Sequence, residues 1–162
     1  MFRHLYVAIT LLCAWMIFTP PALASSQDST DLMVSCMDAD ENNAALAAVR
    51  ACSETGMMAD AEFKSAPTLK LKQFAALAGA AAYITAGDNA VVGAGSFAKM
   101  HDLKATRNFL ILARTYFYSE IRCDQWLGTN ASTDSGRNKF QDGATIAHRK
   151  IATVSEFLAK IP

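Results

Sequence analysis

Apolar residues recur along most of the chain at intervals of three and four, the spacing that places them on one face of an α-helix. No run of β-branched or aromatic residues alternates with polar ones between turn signals. The pattern therefore predicts an all-α fold. It is clearest near the C-terminus, in Phe140, Ala144, Ala147, Ile151, Val154, Leu158 and Ile161.

Capping residues and glycines divide the helical pattern into segments. Thr68 is a suitable N-cap, and Gly87 followed by Asp88 predicts the end of one helix and the start of the next. The predicted helices are 31–37, 43–54, 68–87, 88–103, 105–127 and one from about 135 to the C-terminus, with a single turn at 59–64. About five to seven helices joined by short links predict stacked antiparallel hairpins or an irregular helical bundle.

The first 24 residues have the pattern of a cleaved secretory signal peptide. Arg3 precedes an uncharged run that ends at Phe18, two prolines follow, and residues 22–24 read Ala-Leu-Ala, which suits signal peptidase. The run is too short to span a bilayer core of roughly 30 Å. We therefore expect an exported protein without a membrane anchor, which begins at Ser25 and forms a single domain over residues 25–162.

Charge excludes some classes of partner. The chain has 162 residues, 52% of them hydrophobic, and its 15 basic and 15 acidic side chains cancel, which gives no indication of nucleic-acid binding. The charges are unevenly distributed, with eight acids and one base in residues 25–62 and thirteen bases and seven acids in residues 63–162. The two parts are expected to attract each other, or to leave a cationic face for an anionic partner.

Three cysteines remain after the predicted cleavage. Cys36 and Cys52 lie near the two ends of the acidic N-terminal hairpin, and we predict a disulfide between them with Cys123 left reduced. A turn at Asp40 would place Cys36 opposite a residue near Ala44, so a bridge between Cys52 and Cys123 is the alternative.

A stripe of cations on the predicted central helix is the candidate binding surface. Arg107, Arg114, Tyr118 and Arg122 recur at spacings of 7, 4 and 4. Such a stripe is suited to an acidic peptide or an anionic glycan through charge-assisted hydrogen bonds and stacking. The other interpretation is that it pairs with the acidic N-terminal segment of the same chain.

Motifs for catalysis or cofactor binding are absent from the sequence. The histidines that remain after cleavage, His101 and His148, have no second strong ligand at metal-binding spacing, and Asp38 opens a calcium-like loop that lacks its glycine and closing glutamate. We therefore expect no metal and no cofactor. An enzyme or cofactor carrier that uses His148 or Cys123 is kept as an alternative.

Part of the chain resembles a degenerate tetratricopeptide repeat. Tyr83 stands four residues before Gly87, and a shift of 34 residues aligns Tyr83 with Phe117 and Ala78 with Leu112. The resemblance covers residues 32–127 and implies a right-handed stack of helix hairpins whose concave face binds protein segments.

These observations together predict an exported, non-catalytic helical module that binds another protein of the cell envelope or exterior. The alternative within the same class is an inhibitor or immunity protein of an envelope-acting enzyme. The identity of the protein partner is not indicated by any motif.

Overall fold

A computed structural model describes residues 26–41 and 44–162, and the predicted signal peptide lies outside them. The described residues form five α-helices and contain no strand, which confirms the all-α prediction. The helices are α1 (Ser26–Glu41), α2 (Ala45–Ser65), α3 (Leu69–Lys99), α4 (Leu103–Thr129) and α5 (Asp134–Lys160).

The predicted helix break at Gly87 and Asp88 is wrong, because α3 passes through both residues without interruption. Gly87 is needed for close packing: a Cβ atom there would lie 2.5 Å from Cε1 of Phe117 on α4. Asp88 does not cap a helix but accepts a hydrogen bond from Nζ of Lys150 at 2.6 Å. The turn used by the repeat resemblance therefore lies inside a helix, and the resemblance itself stays a prediction.

The predicted segments 43–54 and 59–64 are likewise one helix, α2. Thr55 and Gly56 lie at its centre and are both buried. The hydroxyl of Thr55 donates to the carbonyl of Ala51, so it is satisfied within the helix. A Cβ atom at Gly56 would lie 2.6 Å from the Tyr83 ring of α3. Like Gly87, Gly56 permits close helix packing and does not end a helix.

Short links make consecutive helices antiparallel, and each helix packs mainly against the next one in sequence. Polar contacts also join second neighbours: Asp40 to Asn89 between α1 and α3, Asp60 to Arg122 between α2 and α4. Contacts of α5 with α1 and with α2 are at most marginal among the described residues. The helices therefore form an open stack instead of a closed ring.

Two clusters of buried side chains hold the stack together. The larger one joins α3, α4 and α5 around Phe117, which is 1% exposed, and includes Ala90, Leu110 and Ile151. The smaller one joins α1, α2 and α3 through Cys36, Cys52, Ala48 and Ala86. Alanine and glycine on α3 leave room for the aromatic rings of α4.

A disulfide joins Cys36 to Cys52, as the sequence predicted, and Cys123 is a buried free thiol. The objection to this pairing assumed a turn at Asp40. In the structure α1 continues to Glu41 and α2 begins at Ala45, so the midpoint between the two helices lies about three residues further along the chain. That shift brings the two cysteines opposite each other in an antiparallel pair.

Candidate functional site on the outer face of α4

Helix α4 is held in place by its N-cap and by the packing of its inner side. Its N-cap, Asp102, accepts a hydrogen bond from the amide of Ala105 at 2.9 Å. Its inner side packs against α3 and α5. The side that is left carries residues at spacings of 3, 4, 3, 4 and 4, which place them along one line of the helix surface. They are Lys104, Arg107, Ile111, Arg114, Tyr118 and Arg122, which we call the outer seam.

The charges of α4 are segregated between its two sides. All four bases of the helix lie in the outer seam, and both of its acids, Glu120 and Asp124, are buried at 3% and 7% exposure. The outer seam therefore contains cations and no carboxylate from its own helix. A helix that is merely solvated usually mixes both signs on its exposed face.

One end of the outer seam is paired within the chain. Arg122 Nη2 donates to Asp60 Oδ2 of α2 at 2.6 Å, and the hydroxyl of Tyr83 donates to the same oxygen at 2.8 Å. Tyr83 is buried and stacks on Tyr116 of α4 with ring centroids 6.3 Å apart. Burial and the hydrogen bond to Asp60 raise the pKa of Tyr83 well above its usual value. The interpretation in which the stripe pairs with the acidic N-terminal segment thus holds for Arg122.

The middle of the outer seam is not paired in this way. Arg107 donates one hydrogen bond to the carbonyl of Ile161 at 3.2 Å, and a guanidinium has further N–H groups to donate. No ion pair between described residues includes Arg114. Tyr118 and Ile111 are 54% and 39% exposed. This segment offers cations and apolar surface side by side.

The cysteine proposed for an enzyme lies on the buried side of α4 that faces α3. Cys123 is buried, and a Cβ atom at Gly79 of α3 would lie 3.3 Å from its Sγ. Burial, together with the negative charge of Asp60, raises the pKa of Cys123 to about 11. The protein thus keeps this residue as the thiol, whereas nucleophilic cysteines react as thiolates.

The histidine proposed for a cofactor site lies apart from Cys123. His148 is exposed on α5. Within residues 26–41 and 44–162, no group of three or more His, Cys, Asp or Glu side chains is arranged to hold a metal ion. His148 is thus exposed on α5, whereas Cys123 is buried on α4.

A shallow cleft near the link between α4 and α5 is a further concave feature. It has a volume of about 200 Å³ and is lined by Gln73 and Leu77 of α3, Leu127 of α4 and Phe140 of α5, among others. Gln73 Nε2 donates to the carbonyl of Asn130 at 3.0 Å and closes one side. The cleft contains no titratable group, which separates it from the acids and cations of α4.

Four residues of α4 that define the site were not predicted from the sequence: Lys104, Ile111 and the buried acids Glu120 and Asp124. Lys104 and Ile111 share the helical line of the predicted stripe, so their spacing was the available signal. The buried acids also had a signal, because they fall in the core line of the helix at spacings of 3 and 4. That line is Leu110, Ala113, Phe117, Glu120, Asp124 and Leu127.

Comparison of the chain with protein-family models, with curated proteins and with solved structures finds no match. Among the described helices, none combines the length and the apolar character needed to cross a membrane.

Proposed function

We propose that this chain is an exported, non-catalytic helical binding module whose outer seam on α4 contacts another protein of the cell envelope or exterior. The observation that carries the proposal is the charge segregation of α4, with exposed Tyr118 and Ile111 among the cations. Tyrosine and arginine are, with tryptophan, the residue types enriched among the side chains that dominate binding energy at protein interfaces.

Two features support export. Residues 1–24 have the charge, apolar run and small-residue site of a cleaved signal. The disulfide between Cys36 and Cys52 agrees with an oxidising compartment, where such bonds form and persist. N-terminal sequencing of the exported protein tests this part of the proposal, and the expected first residue is Ser25.

Affinity capture tests the binding part. The mature protein, residues 25–162, serves as bait in an envelope extract of its host, beside the double variant Arg114→Ala with Tyr118→Ala. The variant should retain at least about tenfold less partner, because central aromatic and arginine residues each contribute roughly 1–2 kcal/mol or more. Tyr118 is exposed and Arg114 is half-buried, and neither belongs to the buried core, so the variant should melt close to the wild type.

The matched control is Arg149→Ala with Phe157→Ala, which removes the same chemistry from exposed positions on α5. This control should capture the partner like the wild type. Equal capture by the α4 variant, or equal loss in both variants, would contradict the assignment of the outer seam as the binding surface.

A further inference from the structure

The residues of the outer seam on α4 have the spacing of positions along which a second helix packs. Lys104, Ile111 and Tyr118 are seven residues apart, and Arg107 and Arg114 each follow three residues after a member of that set. Positions related in this way lie along one line of the helix surface, the line along which a second helix can pack. From Lys104 to Tyr118 the seam is about 21 Å long, which is four helical turns.

Contacts inside this protein show how its helices pack against each other. An aromatic ring on one helix sits over a glycine of the preceding helix: Tyr83 over Gly56 and Phe117 over Gly87. At both glycines, an added Cβ atom would come within 2.6 Å of the ring. Tyr118 is an aromatic residue of the same type on the outer seam, and no ring contact between described residues includes it.

Charge specifies the other half of the contact. The seam places Arg107 and Arg114 on either side of Ile111, without an acid from α4 beside them. Guanidinium groups pair best with carboxylates, often through two parallel hydrogen bonds. A basic or neutral helix would leave these cations desolvated and unpaired, which disfavours it.

We propose that the partner presents an acidic amphipathic helix, which lies along the outer seam with a small residue opposite Tyr118 and carboxylates opposite Arg107 and Arg114. This inference rests on the proposed function and names the chemistry of the partner. The added helix extends the packing that the chain itself uses, since Tyr118 rests on a small residue as Tyr83 and Phe117 do. Ile111 supplies the apolar contact between the two charged pairs.

Designed peptides test the inference without the natural partner. The probe is a soluble 21-residue helical peptide with glutamates opposite Arg107 and Arg114, leucine opposite Ile111 and alanine opposite Tyr118, a length that covers about six turns. Fluorescence anisotropy measures its binding to the mature protein. A peptide with lysine in place of the glutamates should bind about tenfold or more weakly, because like charges then face each other.

Charge exchange and packing changes locate the contact. Arg114→Glu should weaken the acidic peptide about tenfold or more and strengthen the lysine peptide, whereas the control Arg149→Glu on α5 should change neither. Tyr118→Ala, or leucine for alanine in the peptide, should each weaken binding by about tenfold as well. Tyr118 and Arg149 are exposed and Arg114 is half-buried outside the core, and circular dichroism checks that the variants remain folded.

Several results would overturn the inference. The first is failure of the acidic peptide to bind. The second is equal binding of a proline-interrupted peptide of the same composition, because that result would show that the helical form of the peptide is irrelevant. Dextran sulfate binding that depends on Arg114 but not on Tyr118 would assign the seam to a polyanion. Self-association that Arg114→Glu abolishes would assign it to a second copy. If capture depends on Tyr118 while no peptide binds, the proposed function stands and only the helical partner is wrong.

Discussion

The buried carboxyl of Asp124 should make the stability of this protein fall as the pH rises through mild acid. Asp124 is 7% exposed, and no hydrogen bond or ion pair between described residues includes its carboxylate. It faces α5 at Gly143, where an added Cβ atom would overlap its Oδ2. Burial raises the pKa of Asp124 from an ordinary value of 3.8 to about 6.

The direction of this pH effect on stability follows from proton binding by Asp124. Because the folded state holds this proton more tightly than the unfolded chain, the stabilisation is fully present below pH 3.8 and is lost as the pH rises through about 6. At about 1.4 kcal/mol per pH unit, the rise in pKa corresponds to a loss of about 3 kcal/mol between those limits.

Asp124→Asn removes the titration while it keeps the shape of the side chain. Urea unfolding of the wild type and the variant, between about pH 4 and pH 7.5, gives the difference in free energy of unfolding at each pH. The variant should gain about 2–3 kcal/mol relative to the wild type over that range. A constant cost of burying the amide moves the whole difference curve and does not change its slope.

The control is Asp142→Asn, which changes an exposed acid on α5. Its stability should follow that of the wild type at all pH values, because exposed groups contribute little. Parallel curves for Asp124→Asn and the wild type would refute the reasoning. They would mean that Asp124 reaches water or a partner that restores its ordinary acidity.

Two further predictions concern stability. Replacing Cys36 and Cys52 together by serine should lower the free energy of unfolding by about 3 kcal/mol, because the bridge closes a loop with a sequence separation of 16; an unchanged urea midpoint would contradict this. Gly87→Ala should cost about 1–3 kcal/mol because its Cβ atom meets the buried ring of Phe117. Gly95→Ala has nothing within 4 Å and should stabilise α3 by about 1 kcal/mol, so equal melting shifts for the two glycines would contradict the packing role of Gly87.

The helical class of the fold was predictable because burial of one helix face leaves its period in the sequence. Helix boundaries were not predictable at residues that contact another helix but also have the residue types of a helix end. Gly87 followed by Asp88 has the local pattern of a helix end, but the glycine admits the Phe117 ring and the aspartate pairs with Lys150. A single sequence does not contain the neighbouring helix that explains such a pair.

The candidate site was predictable only in part. Spacing alone placed Arg107, Arg114, Tyr118 and Arg122 on one line, and the structure places them on the outer side of α4. Arg122 pairs with Asp60 because of the way α2 and α4 lie against α3. The periodicity of the sequence does not specify this arrangement of the helices. Whether a cation on a helix is paired or available is decided by elements distant in sequence.

The contrast between α4 and α5 is the strongest reason to expect a helical partner at the outer seam instead of a general anion site. Helix α5 has one core line and also exposes two large apolar residues, Ile146 and Phe157. Its outer side mixes the base Arg149 with the acid Glu156, however, as a solvated face does. Helix α4 has a core line and, on its exposed side, a second line with the same heptad spacing. A polyanion requires cations but no apolar residues between them. The regular placement of Ile111 and Tyr118 serves packing against another helix, and this is why the binding of designed peptides should depend on Tyr118 as well as on charge.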